Sequence, residues 1–336
     1  MSGGRPSGRL GRWVQVSFTV LVVGFMALYL ARIDWSRLQG LDFHVAPMLA
    51  ATALALLFRY WGAGVWLHLL RRLGARDVGR DWRELCAVYA KAWLGRYILG
   101  AGTWIVGKVY FAAQHGVSRS KLAVSGVLEA ALQLISTLLV GLALLALDPR
   151  LDAAGPQAVQ LSVIAAVVCL VALAPPVLQR LLDLAYRVLR RGPMATDDRP
   201  SWSMVLGGGG LYVLGTILTG ASYFLVARSV YPDLPWSDVG YVIGAASIAS
   251  AVSMLAFFAP GGIGVREGIQ VLFLTALMPV EAAVVVTVLT RLWSIAVDVL
   301  FLATTNLTRR AGRRGSGATP THVPTDGRPA TQAQHP

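Results

Sequence analysis

Nine blocks of almost continuous apolar residues constrain the fold of this chain more than any other feature. The blocks cover residues 13–31, 44–70, 85–107, 122–147, 158–178, 204–227, 239–259, 263–278 and 279–304. Most approach the roughly 20 residues that an α-helix needs to cross a hydrocarbon core about 30 Å thick. Long continuous runs exclude a transmembrane β-barrel, whose strands alternate apolar and polar residues. We therefore expect an all-α, polytopic helical membrane protein.

The charge content supports the same class. Only 14% of the 336 residues are charged, whereas soluble globular domains carry about 25%. This excludes a soluble enzyme and a disordered chain. Cys86 and Cys169 lie far apart and form no metal-ligand pattern, so we expect no metal site and no cofactor. The formal net charge of +13 does not indicate a nucleic-acid partner, because the basic residues gather at the ends of the apolar blocks.

The basic residues favour alternate segments between the blocks. Segments 1–12, 71–84, 108–121, 179–203 and 305–336 hold 3, 5, 3, 5 and 5 lysines and arginines, or 21 in total. Segments 32–43, 148–157 and 228–238 hold 2, 1 and 1, or 4 in total. Because basic loops stay on the cytoplasmic side, both termini and the five basic segments are expected there. The domains predicted are a basic tail over 1–12, a membrane domain over 13–305 and a disordered cytoplasmic tail over 306–336.

Two regions must enter the membrane and return for this charge pattern to hold. Block 85–107 has a basic segment on each side, so we expect a helical hairpin that enters from the cytoplasm. By the same reasoning, 239–278 enters from the external side and is broken at 260–264 (PGGIG). The prediction is about six single-crossing helices and two oppositely oriented helical hairpins. Transporters built from inverted repeats use such hairpins, and a weak likeness between 99–108 and 259–266 agrees with an inverted repeat.

Ionisable residues inside the blocks are the sharpest functional signal, because each costs about 2.5–3.5 kcal/mol at the centre of a membrane helix. Six are cationic and three are anionic, namely Arg59, Lys91, Arg96, Lys108, Glu129, Arg266, Glu267, Arg291 and Asp298. Arg291 and Asp298 share nearly the same helix face, although about 10 Å separates them along the axis. Pairing with the three acids leaves a cationic surplus, which an anionic lipid headgroup would neutralise.

The stretch 260–268 (PGGIGVREG) is the strongest local motif. Proline ends the preceding helix, and the glycines permit backbone angles that other residues avoid. The helix that restarts near Val265 would point its free amides and positive dipole end into the membrane, next to Arg266, as a phosphate site requires. The alternative is a tight turn in which Arg266 and Glu267 merely pair with each other.

The candidate site follows from these residues. The predicted lipid-phosphate ligands are Gly261, Gly262, Gly264, Arg266, Glu267 and Arg291. The predicted supporting residues of the cavity are Arg96, Lys108, Glu129 and Asp298. Each also has a structural interpretation: Arg96 and Lys108 at the cytoplasmic interface, and Glu129 in an ion pair with Arg96, Lys108 or Arg291. Arg59 is expected to snorkel or to stack on the neighbouring aromatic residues.

The motif resembles a known family. Residues 258–268 (FAPGGIGVREG) are similar to the signature of the flippase-like transmembrane domain of lysylphosphatidylglycerol synthases. Residues 288–293 (VLTRLW) resemble its helix with a single buried arginine, and 95–104 (GRYILGAGTW) with Gly107 and Lys108 lie where members carry a first Pro-Gly motif. In this chain the first motif lacks its proline: Leu99 stands immediately before Gly100, where the family has proline. The similarity spans most of residues 10–305.

The resemblance implies a role in moving phosphate-containing lipids between leaflets. Members translocate aminoacylated phosphatidylglycerol or are implicated in handling polyprenyl-linked glycolipids. No synthase domain follows residue 305 here, so we expect the lipid to come from elsewhere. The prediction is a lipid translocase of the cell membrane in a bacterium, with an anionic lipid as its partner.

Other functions remain open. One is an accessory subunit that presents a lipid to an envelope glycosyltransferase, and another is a small-anion secondary transporter. An intramembrane enzyme is not expected, because the chain lacks the His-Glu-x-x-His, Gly-x-Ser-x-Gly and Asp-x-Asp patterns of catalytic sites.

Overall fold

The structure is a computed structural model, and it describes residues 43–75, 82–99, 103–150, 155–188, 200–256, 262 and 264–315. Within these ranges the chain is almost entirely helical and contains no β-strand. The prediction of an all-α protein is confirmed. The first apolar block, 13–31, lies outside the described residues.

The described part of the chain contains ten α-helices and two short 3₁₀ turns, at Ala113–His115 and Trp236–Asp238. The α-helices are α1 (Val45–Arg72), α2 (Trp82–Leu99), α3 (Thr103–Ala112), α4 (Arg119–Ala146), α5 (Pro156–Ala172), α6 (Pro175–Val188), α7 (Trp202–Val230), α8 (Val239–Leu255), α9 (Val265–Leu274) and α10 (Val280–Gly315).

Five helical segments in the described residues are long and apolar enough to cross a membrane. They are Val45–Arg72, Arg119–Ala146, Trp202–Val230, Trp236–Leu255 and Val280–Arg310. The polytopic membrane class is therefore confirmed. Helix α10 continues to Gly315, so the predicted boundary between the membrane domain and the tail, at residue 305, lies inside a helix.

One predicted crossing differs from the structure. The sequence suggested a single apolar helix over 158–178, but α5 ends at Ala172 and α6 begins at Pro175. Pro175 and Pro176 explain the break, because proline lacks the N–H that would continue α5 and restricts the residue before it. The apolar helix before this break is therefore shorter than the sequence suggested.

In each region predicted to form a hairpin, the described residues form two successive helices that pack against each other. Helix α3 packs on α2, and α9 packs on α8. The second arm has 10 residues in each hairpin, or about 15 Å of helix, which is half the thickness of a hydrocarbon core. The first hairpin packs its α2 against α10, and the second packs its α8 against α4. The first hairpin thus packs against α10, which follows the second hairpin in the chain. The second hairpin packs against α4, which follows the first.

Segments that were predicted to be external meet at one end of the helix bundle. The backbone N–H of His44, just before α1, donates to the carbonyl oxygen of Ser229 in the last turn of α7 (2.8 Å). Arg150, which follows α4, forms an ion pair with Asp238 before α8 (N–O distance 2.7 Å). Three chain segments with few basic residues therefore share this end.

Segments that were predicted to be cytoplasmic meet at the opposite end. Lys121 Nζ, in the first turn of α4, donates to the carbonyl oxygen of Gly74 after α1 (3.0 Å). Arg309 of α10 lies 3.5 Å from Glu84 at the start of α2. The arginine-rich segments thus gather on one side, as the charge pattern requires; their cytoplasmic location stays a prediction.

Candidate functional site

A cavity of about 290 Å³ lies between the long helices and the two hairpins. Its walls come from eight helices and from Gly262 in the glycine turn before α9. The lining residues are Phe58 and Arg59 (α1), Trp93 (α2), Trp104 and Ile105 (α3), Ala130, Gln133 and Thr137 (α4), Tyr212, Thr216, Thr219, Gly220 and Tyr223 (α7), Ala246, Ser247, Ser250, Ser253 and Met254 (α8), Gly262, Arg266 (α9) and Arg291 (α10). Residues from both hairpins therefore meet here.

Three arginines line the cavity, and two of them have carboxylate partners. Arg59 is buried and its Nε lies 2.5 Å from Asp298 Oδ1 of α10. Arg291 Nη1 lies 3.4 Å from Glu267 Oε1 of α9. Neither carboxylate residue is among those that line the cavity. The guanidinium groups thus separate the acids from the space that a ligand would occupy.

Arg266 is held differently. It lies in the first turn of α9, and its guanidinium carbon is 4.9 Å from the ring centroid of Tyr223. Its Nε is buried, and no described residue accepts a hydrogen bond from it. A buried charged donor without an acceptor is costly. An anion in the cavity would satisfy Arg266, whereas a neutral, apolar ligand would not.

Two glycines with positive φ precede α9, and a carboxylate caps the start of the helix. Gly262 and Gly264 have φ values of 68° and 87°, which side chains other than glycine rarely tolerate. A Cβ on Gly262 would also lie 2.7 Å from Ser253 Cβ. Glu267 Oε2 accepts a hydrogen bond from the backbone N–H of Gly264 (2.6 Å). One of the amides predicted to bind phosphate is therefore already bonded to Glu267.

Lys108 and Glu129 form a fully buried ion pair between α3 and α4, with Nζ 2.5 Å from Oε2. The rings of Tyr89, Trp104 and Trp66 surround the ammonium group, with centroids 3.9, 4.5 and 5.1 Å away. The Tyr89 hydroxyl donates to Glu129 Oε1 (3.1 Å). Neither member of the pair lines the cavity, but Trp104 contacts both the ammonium group and the cavity.

The structure brings some of the predicted site residues together. Gly262, Arg266 and Arg291 line the cavity, and Gly264 and Glu267 lie at the helix start beside it. Gly261 and the side chain of Arg96 lie outside the described residues. Of the two structural interpretations for Glu129 and Lys108, the ion pair is the one observed.

Two pairings that the sequence left open are not the ones observed. Asp298 pairs with Arg59 instead of Arg291, because α1 packs against α10 and brings the Arg59 side chain to it. Glu267 pairs with Arg291 and not with its neighbour Arg266. Arg59 does lie near aromatic rings, with Phe58 and Trp93 at 5.3 and 5.7 Å, but it also lines the cavity.

Sequence reasoning missed the serine and threonine side chains of α4, α7 and α8 that line the cavity. Six serine and threonine side chains line the cavity: Thr137, Thr216, Thr219, Ser247, Ser250 and Ser253. The signal available was the spacing of the three serines, which recur every third residue and so lie on one face of α8. Small polar residues at this spacing are also common where membrane helices pack together, so the pattern alone does not indicate a site.

The architecture defines a multi-pass helical membrane protein with an arginine-lined internal cavity between two helical hairpins. Over residues 12–301 the chain matches the family described as the lysylphosphatidylglycerol synthase TM region. The protein belongs to this family, and its function is therefore related to membrane lipids. No curated protein and no solved structure matches the chain.

Proposed function

We propose that this protein translocates an anionic, phosphate-containing lipid between the leaflets of the cell membrane. The observation that carries the proposal is Arg266, whose buried Nε has no acceptor among the described residues and which lines the cavity. Arg291 and Arg59 line the same space. A lipid phosphate there would accept hydrogen bonds from guanidinium groups, which bind phosphate with good geometry.

The size of the cavity favours a headgroup over a whole lipid. About 290 Å³ is at the lower end of the range for small-molecule pockets. The acyl chains would stay in the bilayer while the headgroup crosses through the cavity. Movement of one hairpin relative to the other would open the cavity to each leaflet in turn, as in transporters with a midplane site. The role is transport, and the partner is a membrane lipid.

The test is lipid movement in liposomes of defined composition. Purified protein is reconstituted with a fluorescent phosphatidylglycerol, and dithionite then reports the fraction that reaches the outer leaflet. We expect the native protein to speed exchange and Arg266→Gln to abolish most of that increase. The matched control is Arg228→Gln, because Arg228 also lies over an aromatic ring, 4.5 Å from the centroid of Trp236, but does not line the cavity.

Two other outcomes would overturn the proposal. If phosphatidylglycerol stays in its leaflet while a lipid-modifying enzyme of the envelope co-purifies with the chain, the protein is an accessory subunit that presents lipid. If liposomes accumulate soluble glycerol 3-phosphate while the lipid does not move, it is a small-anion transporter.

A further inference from the structure

Helix α6 carries its polar residues on one narrow side. These residues are Gln179, Arg180, Asp183 and Arg187, and the rest of the helix consists of proline, valine, leucine, alanine and tyrosine. At 3.6 residues per turn, the four polar positions fall within an arc of about 100°. Helix α6 is therefore an amphipathic helix with a wide apolar side.

This helix is too short to cross a membrane. Its 14 residues extend about 21 Å, whereas the hydrocarbon core is about 30 Å thick. An amphipathic helix of this length either packs its apolar side on the protein core or lies at a membrane surface. The contacts of α6 with the helix bundle distinguish these two arrangements.

The start of α6 is fixed at the arginine-rich end of the bundle. Leu178 belongs to a buried cluster with Leu73 after α1, Val124 near the start of α4 and Met204 in the first turn of α7. The side-chain amide of Gln179 donates to the backbone carbonyl group two residues before α7 (2.9 Å). The segments that were predicted to be cytoplasmic meet at these same helix ends. Helix α6 therefore begins where the long helices of the bundle end.

Further along α6, the protein core leaves apolar surface uncovered. Arg180 is exposed, and Leu184, about one turn further on, is 56% exposed. The preceding helix α5 also has exposed apolar residues, which include Ile164 and Val168 at 59% and 60%. Only residues 173–174 separate α5 from α6. The exposed apolar surface of α5 is therefore followed directly by that of α6.

The position of α6 determines what covers its apolar side. Helix α5 is a 17-residue helix of mostly apolar residues, and the acyl chains of a bilayer cover the exposed side of such a helix. Because α6 starts beside the end of α5, its apolar side meets the same bilayer at the boundary between acyl chains and headgroups. An amphipathic helix buries its apolar face about 5–10 Å deep at this boundary. An arginine on the polar side extends towards the headgroups.

We infer that α6 is an interfacial helix that binds the surface of the leaflet at the arginine-rich end of the bundle. Its apolar side, which includes Leu184, lies on the acyl chains just below the headgroups. Arg180 faces water and the lipid phosphates. The partner of this surface is a phospholipid bilayer, and α6 thereby ties the connection between α5 and α7 to the membrane. The inference does not depend on lipid translocation.

Fluorescence quenching at single cysteines measures the depth of α6. The full chain with Cys86→Ala and Cys169→Ala carries one bimane-labelled cysteine in phosphatidylcholine liposomes, whose acyl chains bear a nitroxide either near the headgroup or near the chain end. We expect the probe at Leu184→Cys to be quenched more strongly by the shallow nitroxide. A probe at Ile164→Cys, halfway along α5, should be quenched more strongly by the deep nitroxide. A probe at Arg180→Cys should be quenched mainly by aqueous iodide.

A charge on the apolar side should release α6 from the bilayer. Val177 lies seven residues before Leu184 and hence on nearly the same side of the helix. In Leu184→Glu, a probe at Val177→Cys should lose most of its quenching by the shallow nitroxide and become accessible to iodide. Leu147→Glu is the matched control, because Leu147 is also an exposed leucine (81%) but follows α4 at the other end of the bundle. It should leave the probe at Val177→Cys unchanged.

The other outcomes would overturn the inference. Quenching of Leu184→Cys by iodide alone would place α6 in water. Stronger quenching by the deep nitroxide would place the helix inside the hydrocarbon core. Protection from iodide and from both nitroxides would mean that protein, such as a second copy of this chain, covers the helix. Unchanged quenching at Val177→Cys in Leu184→Glu would mean that the apolar side does not hold α6 on the membrane.

Discussion

At the scale of single residues, the Lys108–Glu129 pair shows how a full charge is kept inside the membrane domain. Both side chains are completely buried. The ammonium group meets one carboxylate and three aromatic faces, and cation–π contacts gain strength when water is excluded. Glu129 also accepts from Tyr89. The pair therefore joins α2, α3 and α4, which are the first hairpin and the helix that follows it.

Replacing one member of this pair should lower the stability of the protein far more than replacing both. Lys108→Met or Glu129→Leu leaves an uncompensated buried charge, which costs about 3–5 kcal/mol of unfolding free energy. The double variant has no such charge and should recover most of the stability. Thermal unfolding in detergent, followed by tryptophan fluorescence, ranks the stabilities of the native protein, the single variants and the double variant. Lys121→Met serves as the control, since Lys121 bonds the carbonyl oxygen of Gly74 at the surface. A double variant no more stable than the single variants would contradict the prediction.

At the scale of helices, α9 begins with a carboxylate in two roles. Glu267 accepts from the N–H of Gly264 and pairs with Arg291. Glutamine can still accept from the amide, as in capping motifs that use either residue, but it carries no charge. Glu267→Gln should therefore keep the helix start and bind phosphatidylglycerol several-fold more tightly, because a competing anion is gone. Glu267→Ala also loses the cap, about 1 kcal/mol, and should be the less stable of the two.

Native mass spectrometry and thermal unfolding of the two Glu267 variants check this prediction. Lipid binding by Glu267→Gln that equals the binding by the native protein would mean that the carboxylate does not compete with the phosphate. Equal stability of the two variants would mean that the cap contributes nothing.

Glycines on α7 make a second helix-scale prediction. A Cβ on Gly220 would lie 2.7 Å from Ile243 Cγ2 and 2.9 Å from the Cα of the same residue, so α7 and α8 touch there. Gly210, on the same helix, has no atom within 4 Å of such a Cβ. Gly220→Ala should cost about 1–3 kcal/mol through overpacking. Gly210→Ala should be neutral or stabilise by up to about 1 kcal/mol, because alanine favours helix. Thermal unfolding in detergent measures both, and similar effects would contradict the prediction.

At the scale of the whole molecule, the bilayer explains what could be predicted from the sequence. Membrane-spanning backbone must satisfy its hydrogen bonds internally, so long apolar blocks become helices. The distribution of basic segments predicts that 85–107 and 239–278 each enter the membrane and return. The glycine motif with Arg266 could be placed at a helix start for the same local reasons. The carboxylate partners of Arg59 and Arg291 could not be predicted from the sequence, because these ion pairs depend on how α1 and α9 pack against α10. The serine and threonine side chains that line the cavity could not be predicted either, because they come from three different helices, α4, α7 and α8.

The two ends of the bundle give the last prediction. His44 and Arg150 join one set of segments, and Lys121 and Arg309 join the other. Because the second set is rich in arginine, it should face the cytoplasm. In a background with Cys86→Ala and Cys169→Ala, an impermeant maleimide added to intact cells should label a cysteine placed at the exposed residue Asp233, between α7 and α8.

A cysteine at Ser118, which is exposed before α4, should react only after the cells are permeabilised. A permeant maleimide shows that both sites are reactive, and the background without cysteines shows that labelling is specific. The reverse pattern would mean that the whole protein has the opposite orientation in the membrane. Arg266 would then lie on a helix that enters from the cytoplasmic side. The grouping of the loops requires the bilayer to separate the two ends of the bundle. Labelling of both sites in intact cells would contradict this.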